Sequence, residues 1–457
     1  MRKWTIQDIV SACSGTFVGN TAELDTVVEH IVIDSREAGA HSLYIPIVGE
    51  RLDGHSFIQD AYDRGAVCCL SQQSLDTGRP FIRVEDTRLA FQRIAYHHRA
   101  RFGVKMVGIT GSVGKTTTKE LVACVLAQQY RVLKTEGNFN NQTGVPLTLL
   151  RLNETHEVGV LELGTNHFGE IRSLSHIVRP DVCVFTNIGD SHLEYLGSRE
   201  GVFRAKREML EYASRGAHII ANGDDAFLAT LRESEPNVTL YGLGSHNDVI
   251  AQDLREQDVA GISFTAVSGA DALELFVPSP GRHMVYNALA AVAVGRALGV
   301  AAQKIQAGIA SFTTQGDRMR VQKSGGITIL NDVYNANPNS MRAALDVLRN
   351  ADGRRICVLG DMLELGEKSG YYHEALGAYA AGMGIDVILC TGAMGKTIYE
   401  GAVAAGAENA FYCLDQEKLW AALSPMLKAG DTVLVKASRG VALEHTVERL
   451  IKHGPYA

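Results

Sequence analysis

Short apolar runs bounded by glycine, aspartate and arginine recur from the start of the chain. Within residues 1 to 100, "HIVID", "SLYIPIVG", "AVCCLS" and "FIRVED" read as strands. From "KMVGIT" the rhythm changes to strand, glycine loop, helix, strand, and continues through "VGVLELG", "DVCVFTNIG" and "AHIIANG" with helical stretches between. That alternation predicts a largely parallel sheet covered by helices. After "SFTTQGDRMRV" it restarts, with strands at "GITILNDVY", "RRICVLGD", "DVILCTG", "AFYCL" and "DTVLVKAS". Helices are predicted near 340–349, 371–382, 393–404, 417–428 and 441–452. The fold class is therefore α/β in three domains, 1–100, 101–313 and 314–457, in keeping with about 150 residues per domain. The third has the rhythm of a dinucleotide-binding sheet, but no GxGxxG follows its first strand and the glycines of "LGDMLELGEKSG" are wrongly spaced. It reads as a Rossmann-like scaffold without that ligand. No short tandem repeat occurs, which excludes a solenoid.

Composition narrows the partners. A net charge of −7 over 457 residues offers no basic field for nucleic acid. "HHRARFGVK" is a short basic cluster of the kind found at a solvated helix end. No apolar run approaches the roughly 20 residues of a membrane helix. The opening "MRKWTIQDIVSACSG" has its apolar stretch interrupted by Asp8, so a cytoplasmic protein without membrane insertion is expected. Of eight cysteines, Cys68, Cys69, Cys124, Cys183, Cys357 and Cys390 lie inside apolar runs, and no CxxC pair occurs. They are expected to be buried reduced thiols.

Candidate chemistry begins at "GITGSVGKTTTKE", between a strand and a helix. A strict P-loop wants glycine five positions before Gly114; Ile109 stands there, with Gly108 one place away. Gly111 and Gly114 still supply the positive-φ turns that aim the N–H groups of Ser112, Val113 and Thr117 at phosphate oxygens. Lys115 is the cation for β- and γ-phosphates. Thr116 offers its hydroxyl to Mg²⁺, at the positive end of a helix dipole. The bland alternative is a glycine-rich strand-to-helix turn. Downstream, Glu162 ends the strand "VGVLELG", where a carboxylate needs a cation. His192 follows a strand in "TNIGDSHLEYLGS", and Lys206 lies on a helix in "REGVFRAKREML". Taken alone, His192 reads as a surface or packed histidine and Lys206 as a charge on a solvated helix face.

Together these residues resemble the Mur ligases, the ATP-dependent amide-forming enzymes of peptidoglycan synthesis. The likeness runs through "TEGNFNNQTGVPLTLL", "ELGTNHFGEIRSL", "FTNIGDSHLEYLGSREGVFRAKREML", "GRHMVYNALAA" and "VKASRG". Two stretches, "NDVYNANPNSMRAAL" and "VLGDMLELGEKSGYYHEALG", resemble the branch that adds D-alanyl-D-alanine to UDP-N-acetylmuramoyl-tripeptide; "IDSREAGAHSLYIPIVGERLDGHSFI" is similar to that branch's UDP-binding domain. The resemblance implies an N-terminal UDP-binding domain, a central P-loop-type ATP-binding domain with a parallel sheet, and a C-terminal Rossmann-like domain. It also implies a monomer working through an acyl phosphate. Thr116 and Glu162 would hold one Mg²⁺, and His192 with an N-carboxylated Lys206 a second. A plain ammonium has only donors and cannot ligate a cation. His283 and Asn287 match positions near adenine, and Arg318 and Asp332 match third-domain residues that reach ATP. Tyr334, Asn335 and Asn337 fall where the amine substrate is expected. Ser35 and Arg36 match the UDP contact, and Asn138, Asn140, Asn141 and Thr143 lie near sugar and peptide. The chain departs from the family pattern at Met284 and Ala437, where a polar residue and a glycine are common. "NANPNS" also reads as an Asn/Pro turn capping a helix. Three rivals remain open at this point: a folylpolyglutamate synthase, a nucleotide-driven switch or motor, and a sugar-nucleotide sensor. Whether the third peptide residue is lysine or diaminopimelate is equally open.

Overall fold

The computed structural model describes residues 3–49, 51–76 and 78–453. Met1 and Arg2 of the opening stretch, and Glu50 of the UDP-like stretch, lie outside them. Three large sheets follow one another along the chain, beside a two-stranded pairing of Trp4–Thr5 with Val27–Val28.

The first has five strands in the order Thr16–Val18, Phe81–Arg83, Cys68–Ser71, Ser42–Tyr44 and His30–Val32. Only the Thr16–Val18 pairing is antiparallel. Helix Thr87–Ala100, capped by Asp86, covers it and packs against helix Gly144–Leu150 of the next unit.

The second sheet positions the site. Its parallel strands run in the order Val249–Gln257, Val238–Gly242, His218–Asn222, Val182–Phe185, Lys105–Thr110, Val158–Glu162 and Val132–Lys134. Lys105–Thr110 comes first in sequence but sits inside the sheet. The chain leaves it toward one edge, returns, and crosses to its other side. Such a reversal opens a crevice at the carboxyl ends of the strands. Register aligns those ends: Glu162 lies opposite Ile109, and Phe185 opposite Thr110. Helix His283–Ala297 is buried nearly all round, because "NALAAVAVG" offers mostly small and apolar side chains between the sheet and helix Lys115–Ala127. The predicted parallel sheet also carries an antiparallel extension, Gly261–Ser268 and Asp271–Val277. The charged run "DLREQD" hides Val249–Gln257, the strand this extension pairs with, since its outer half is largely solvent-facing.

The third sheet runs Arg320–Ser324, Ile327–Asp332, Thr432–Lys436, Arg355–Leu359, Val387–Thr391 and Ala410–Cys413, parallel after the first hairpin. Thr432–Lys436, the last strand in sequence, is inserted between the first two parallel ones. The predicted helices form at Pro338–Arg349, Ser369–Gly382, Gly395–Ala404, Gln416–Leu423 and Glu444–Lys452.

All eight cysteines are free, and all but the half-buried Cys124 are buried. Burial pushes the thiols up, Cys69 and Cys390 to about 12. No described helix is long and apolar enough to cross a membrane.

Helices Ser369–Gly382 and Gly395–Ala404 touch backbone to backbone. A Cβ on Gly377 would lie 1.9 Å from the Ile398 carbonyl oxygen, and one on Gly401 2.2 Å from that of Glu374. Gly377→Ala should therefore cost about 1–3 kcal/mol of stability through overpacking. Calorimetry should show a lower unfolding midpoint, while nucleotide affinity at the distant second sheet stays within about twofold.

Candidate active site

Strand Lys105–Thr110 ends at the crevice, and the chain turns there through Gly111–Gly114 into helix Lys115–Ala127. Gly114 has φ 80° and is backed by Asn287; an added Cβ would sit 2.9 Å from Asn287 Oδ1. At Gly111 an added Cβ would meet Thr186 Oγ1 at 1.8 Å. The loop is clamped from the neighbouring strand end. Thr186 Oγ1 donates to the Val113 carbonyl (2.6 Å), and Val113 N donates to Asn187 Oδ1 (3.0 Å). Thr186 and Asn187 were legible only as part of "FTNIG"; nothing in their spacing announces the clamp.

Lys115 Nζ donates to the Gly111 and Ser112 carbonyls at 2.8 and 3.3 Å, folded back over its own loop. Burial lowers its pKa, Glu162 opposes that shift, and Arg318 adds to it. Thr116 Oγ1 donates to Glu162 Oε2 (2.8 Å), and Asn140 Nδ2 to Glu162 Oε1 (2.8 Å). Glu162 is 2% exposed, and among the described residues its carboxylate has only neutral hydrogen-bond donors.

A single cavity of about 900 Å³ runs along these strand ends. It is lined by Ser112 through Thr117, by Glu162 and His192, by His283 and Asn287, and by Asn138, Asn140, Asn141 and Thr143. From the third sheet come Arg318, Asp332, Tyr334, Asn335 and Asn337. The structure thus gathers most of the expected residues from two sheets into one space. Gly111 shapes the loop from beneath. Ser35 and Arg36 stay on the first sheet, outside this cavity. Ser35 is buried against the Asp60 carboxylate, and Arg36 forks onto Asp34 with its guanidinium largely exposed.

His192 has a left-handed backbone (φ 52°) at the start of helix Leu193–Leu196, and Nδ1 lies 3.4 Å from Glu364 Oε2 of the third unit. Burial and the neighbouring Lys115 charge bring its pKa down to about 4, so the imidazole is neutral at pH 7. Lys206 corrects the surface-charge expectation: it is 1% exposed. On helix Arg199–Arg207, Lys206 follows the core residue Val202 by four, so both share the inner face, while exposed Arg204 and Arg207 gave the sequence its polar look. The Lys206 ammonium makes no hydrogen bond or ion pair among the described residues, and the residue is not one of those that line the cavity. Burial and Lys115 hold its pKa well below that of an ordinary lysine. Its neighbour Glu208, also buried, accepts from Gly169 N at 2.8 Å and Arg172 N at 3.2 Å, at the start of helix Glu170–Val178.

On the third-sheet side, Asp332 Oδ2 pairs with buried Lys436 Nζ (2.6 Å), since the two residues are register partners. Lys436 also donates to the Asn335 carbonyl (2.9 Å). Arg318 stacks on Tyr334 with its guanidinium carbon 3.7 Å from the ring centre. Asn337 caps helix Pro338–Arg349 through Ser340 N (2.9 Å), so the capping alternative is realised, and the residue lines the cavity as well. Met284 is buried in the cavity wall near Asn287. Ala437 fits because Gly360 opposite it lacks a side chain: a Cβ there would approach Ala437 Cβ to 2.7 Å. Sequence reading overlooked Arg88, which reaches the cavity from helix Thr87–Ala100, and Asn166, Tyr241 and Asn339. Among the described residues, no three His, Cys, Asp or Glu side chains converge as a metal cage.

Profiles of the Mur ligase family match in three places. The family's catalytic domain covers residues 27–99, its middle domain 109–295, and the Mur ligase, glutamate ligase domain 317–439. A UDP-N-acetylmuramoyl-tripeptide–D-alanyl-D-alanine ligase of Bacillus subtilis is 38% identical, with 99% of each chain covered. The enzyme of the same name from Escherichia coli is 34% identical over 98% of this chain and 99% of its own. Among solved structures, MurF from Acinetobacter baumannii superposes with a TM-score of 0.92 at 31% identity, covering 99% of both chains. MurF from Thermotoga maritima in complex with ADP gives 0.84 at 29% identity, covering 93% of this chain and 97% of that one. The chain belongs to the Mur ligase family, in the branch of the UDP-N-acetylmuramoyl-tripeptide–D-alanyl-D-alanine ligases.

Proposed function

We propose that the cavity joins D-alanyl-D-alanine to UDP-N-acetylmuramoyl-tripeptide at the expense of ATP, in cytoplasmic peptidoglycan precursor synthesis. The observation behind this reading is the meeting, in one cavity, of a phosphate loop with the Asp332–Asn337 face of the third sheet. A bare nucleotide switch has no use for that second face. The tripeptide's terminal carboxylate attacks the γ-phosphorus, the bond to the β-bridging oxygen breaks, and ADP leaves. The free amine of D-alanyl-D-alanine then adds to the acyl carbon, and the collapsing intermediate expels inorganic phosphate. Like charges approach in the first step, so Lys115 and the N–H groups of the loop stabilise the transferring phosphoryl oxygens. Arg318, held flat on Tyr334, adds a second cation from the opposite wall. The Asp332–Asn337 segment takes the amine substrate. The first sheet takes the UDP end, with Ser35 and Arg36 as contacts and Asn138, Asn140, Asn141 and Thr143 along sugar and peptide.

Glu162 and Thr116 offer two hard oxygens to Mg²⁺, and a buried carboxylate with only neutral donors fits a cation. His192, neutral at pH 7, keeps a lone pair for a second ion. Lys206 completes that site as a carbamate: its neutral amine adds to CO₂, one proton leaves, and the side chain becomes an anionic oxygen donor. Low pKa, burial and the absence of any partner among the described residues support this. Magnesium would neutralise phosphate charge and polarise the phosphorus–oxygen bonds.

Phosphate release measured with ATP and UDP-N-acetylmuramoyl-tripeptide, with and without D-alanyl-D-alanine, tests the reaction. Sustained release should require both substrates; turnover with ATP alone would identify a simple nucleotide hydrolase instead. Lys115→Ala and Thr116→Ala should each lower kcat about 10²–10³-fold with unchanged circular dichroism. Retention of more than about a third of kcat would remove that residue from its role. Lys206→Ala should lose most activity and regain part of it with acetate. Lys206→Arg should not be rescued, because the guanidinium fills the same space with the wrong charge.

A further inference from the structure

Strand Val132–Lys134 pairs in parallel with Val158–Glu162, and Thr135 N continues the pattern by donating to the Val160 carbonyl at 3.0 Å. In an evenly spaced parallel ladder, the next bond would run from Glu162 N to the Thr135 carbonyl. That bond is replaced. Glu162 N donates to the Thr135 hydroxyl at 3.1 Å, and the Thr135 carbonyl accepts instead from Lys119 Nζ at 2.7 Å. Lys119 is 1% exposed, on the sheet-facing side of the helix that the phosphate loop opens.

A buried ammonium needs a counter-charge. Glu120 supplies it, with Oε1 2.8 Å from Lys119 Nζ and its other oxygen paired to Lys134. Lys119, Glu120, Lys134 and Thr135 therefore tie the helix to the last residues of the strand. Beyond Thr135 the chain leaves the sheet, and Asn140 of the departing loop donates to Glu162 Oε1. Both ends of Glu162 thus depend on where the strand stops: its amide on the Thr135 hydroxyl, its carboxylate on Asn140.

We propose that Lys119, balanced by Glu120 and acting through Thr135, is a positioning residue for Glu162. It takes the Thr135 carbonyl out of the ladder, stops the strand one bond early, and so fixes the carboxylate at the phosphate loop. This rests on the reading of Glu162 as the group that holds magnesium with the nucleotide. Lys119 touches no substrate. Without its ammonium, the Thr135 carbonyl is free to accept from Glu162 N, the ladder closes one step further, and the loop bearing Asn140 shifts with it. Glu120 keeps Lys134, so no carboxylate is orphaned by the change.

The test titrates a fluorescent ADP analogue against the full-length protein, once in EDTA and once over a magnesium series. Lys119→Met should weaken the magnesium-dependent component about tenfold or more, the scale for groups that orient a metal ligand. Binding in EDTA should stay within about twofold. Thr135→Val should match it, Thr135→Ser should restore the wild-type magnesium response, and the Lys119→Met/Thr135→Val pair should lose no more than either alone. If Lys119→Met does not fold, the Val and Ser variants of Thr135 decide the matter, since Val keeps the shape without the hydroxyl and Ser keeps the hydroxyl at the loss of one methyl. Glu162→Gln separates the two levels. If it keeps the full magnesium response, the magnesium reading of Glu162 fails and the proposal falls with it. If it loses that response while Lys119→Met or Thr135→Val keeps it, the positioning role alone is overturned.

Discussion

A carboxylate buried at the end of a strand is the constraint on which the site depends. Glu162 sits where two parallel neighbours also end, so the residues following each strand converge on it. Its charge is costly in that environment unless donors and a cation surround it. Thr116 comes from the helix after the phosphate loop, Asn140 from the loop after the edge strand, and Lys115 contributes favourable charge. Each arrives because the crossover of the chain puts loops of different sequence origin at one end of the sheet. The glycines then matter for space as well as for backbone conformation: Thr186 and Asn287 approach the loop too closely for side chains at Gly111 and Gly114, and Gly114 also holds a left-handed φ of 80°.

The third unit meets this arrangement with charge already balanced. Lys436 is buried but shared between Asp332 and the Asn335 carbonyl, and Arg318 lies against Tyr334. Both cations are held in fixed places before any anion arrives, which reduces the ordering cost of binding one. Glu364 touches His192 across the gap between units, from a residue that itself has a left-handed backbone.

Much of this was legible in the chain, and the exceptions share a cause. Strands and helices with strong apolar runs were recoverable, as was the phosphate loop, because local spacing alone defines a strand–turn–helix cradle. Glu162 was legible as a polar residue ending an apolar strand. Lys206 was not: flanking arginines mask the inward face of its helix, and only the packing around Val202 and Ala205 reveals it. Lys119 and Glu120 looked like an ordinary charged turn of helix, since their partners Lys134 and Thr135 lie about 15 residues on in sequence. The antiparallel extension was missed because exposed charges break the alternation of Val249–Gln257, the strand it pairs with. Asn337 was legible in both of its guises, and the structure lets it cap a helix while lining the cavity.

The order of strands in the third sheet has a consequence for synthesis. Ile327–Asp332 and Arg355–Leu359 are successive parallel strands, yet they do not touch; Thr432–Lys436 lies between them and pairs with both. Lys436 and Asp332 are 104 residues apart in sequence. On the ribosome, where chains emerge at roughly 5–20 residues per second and domains fold as units, the first two sheets are complete before this sheet has its centre. The half-made third unit exposes two apolar strand edges during that interval, a state in which chaperones and proteases have their best chance to act. The phosphate loop forms early, its opposite wall last, so a nascent chain acquires the nucleotide cradle well before the face that gives the nucleotide a purpose.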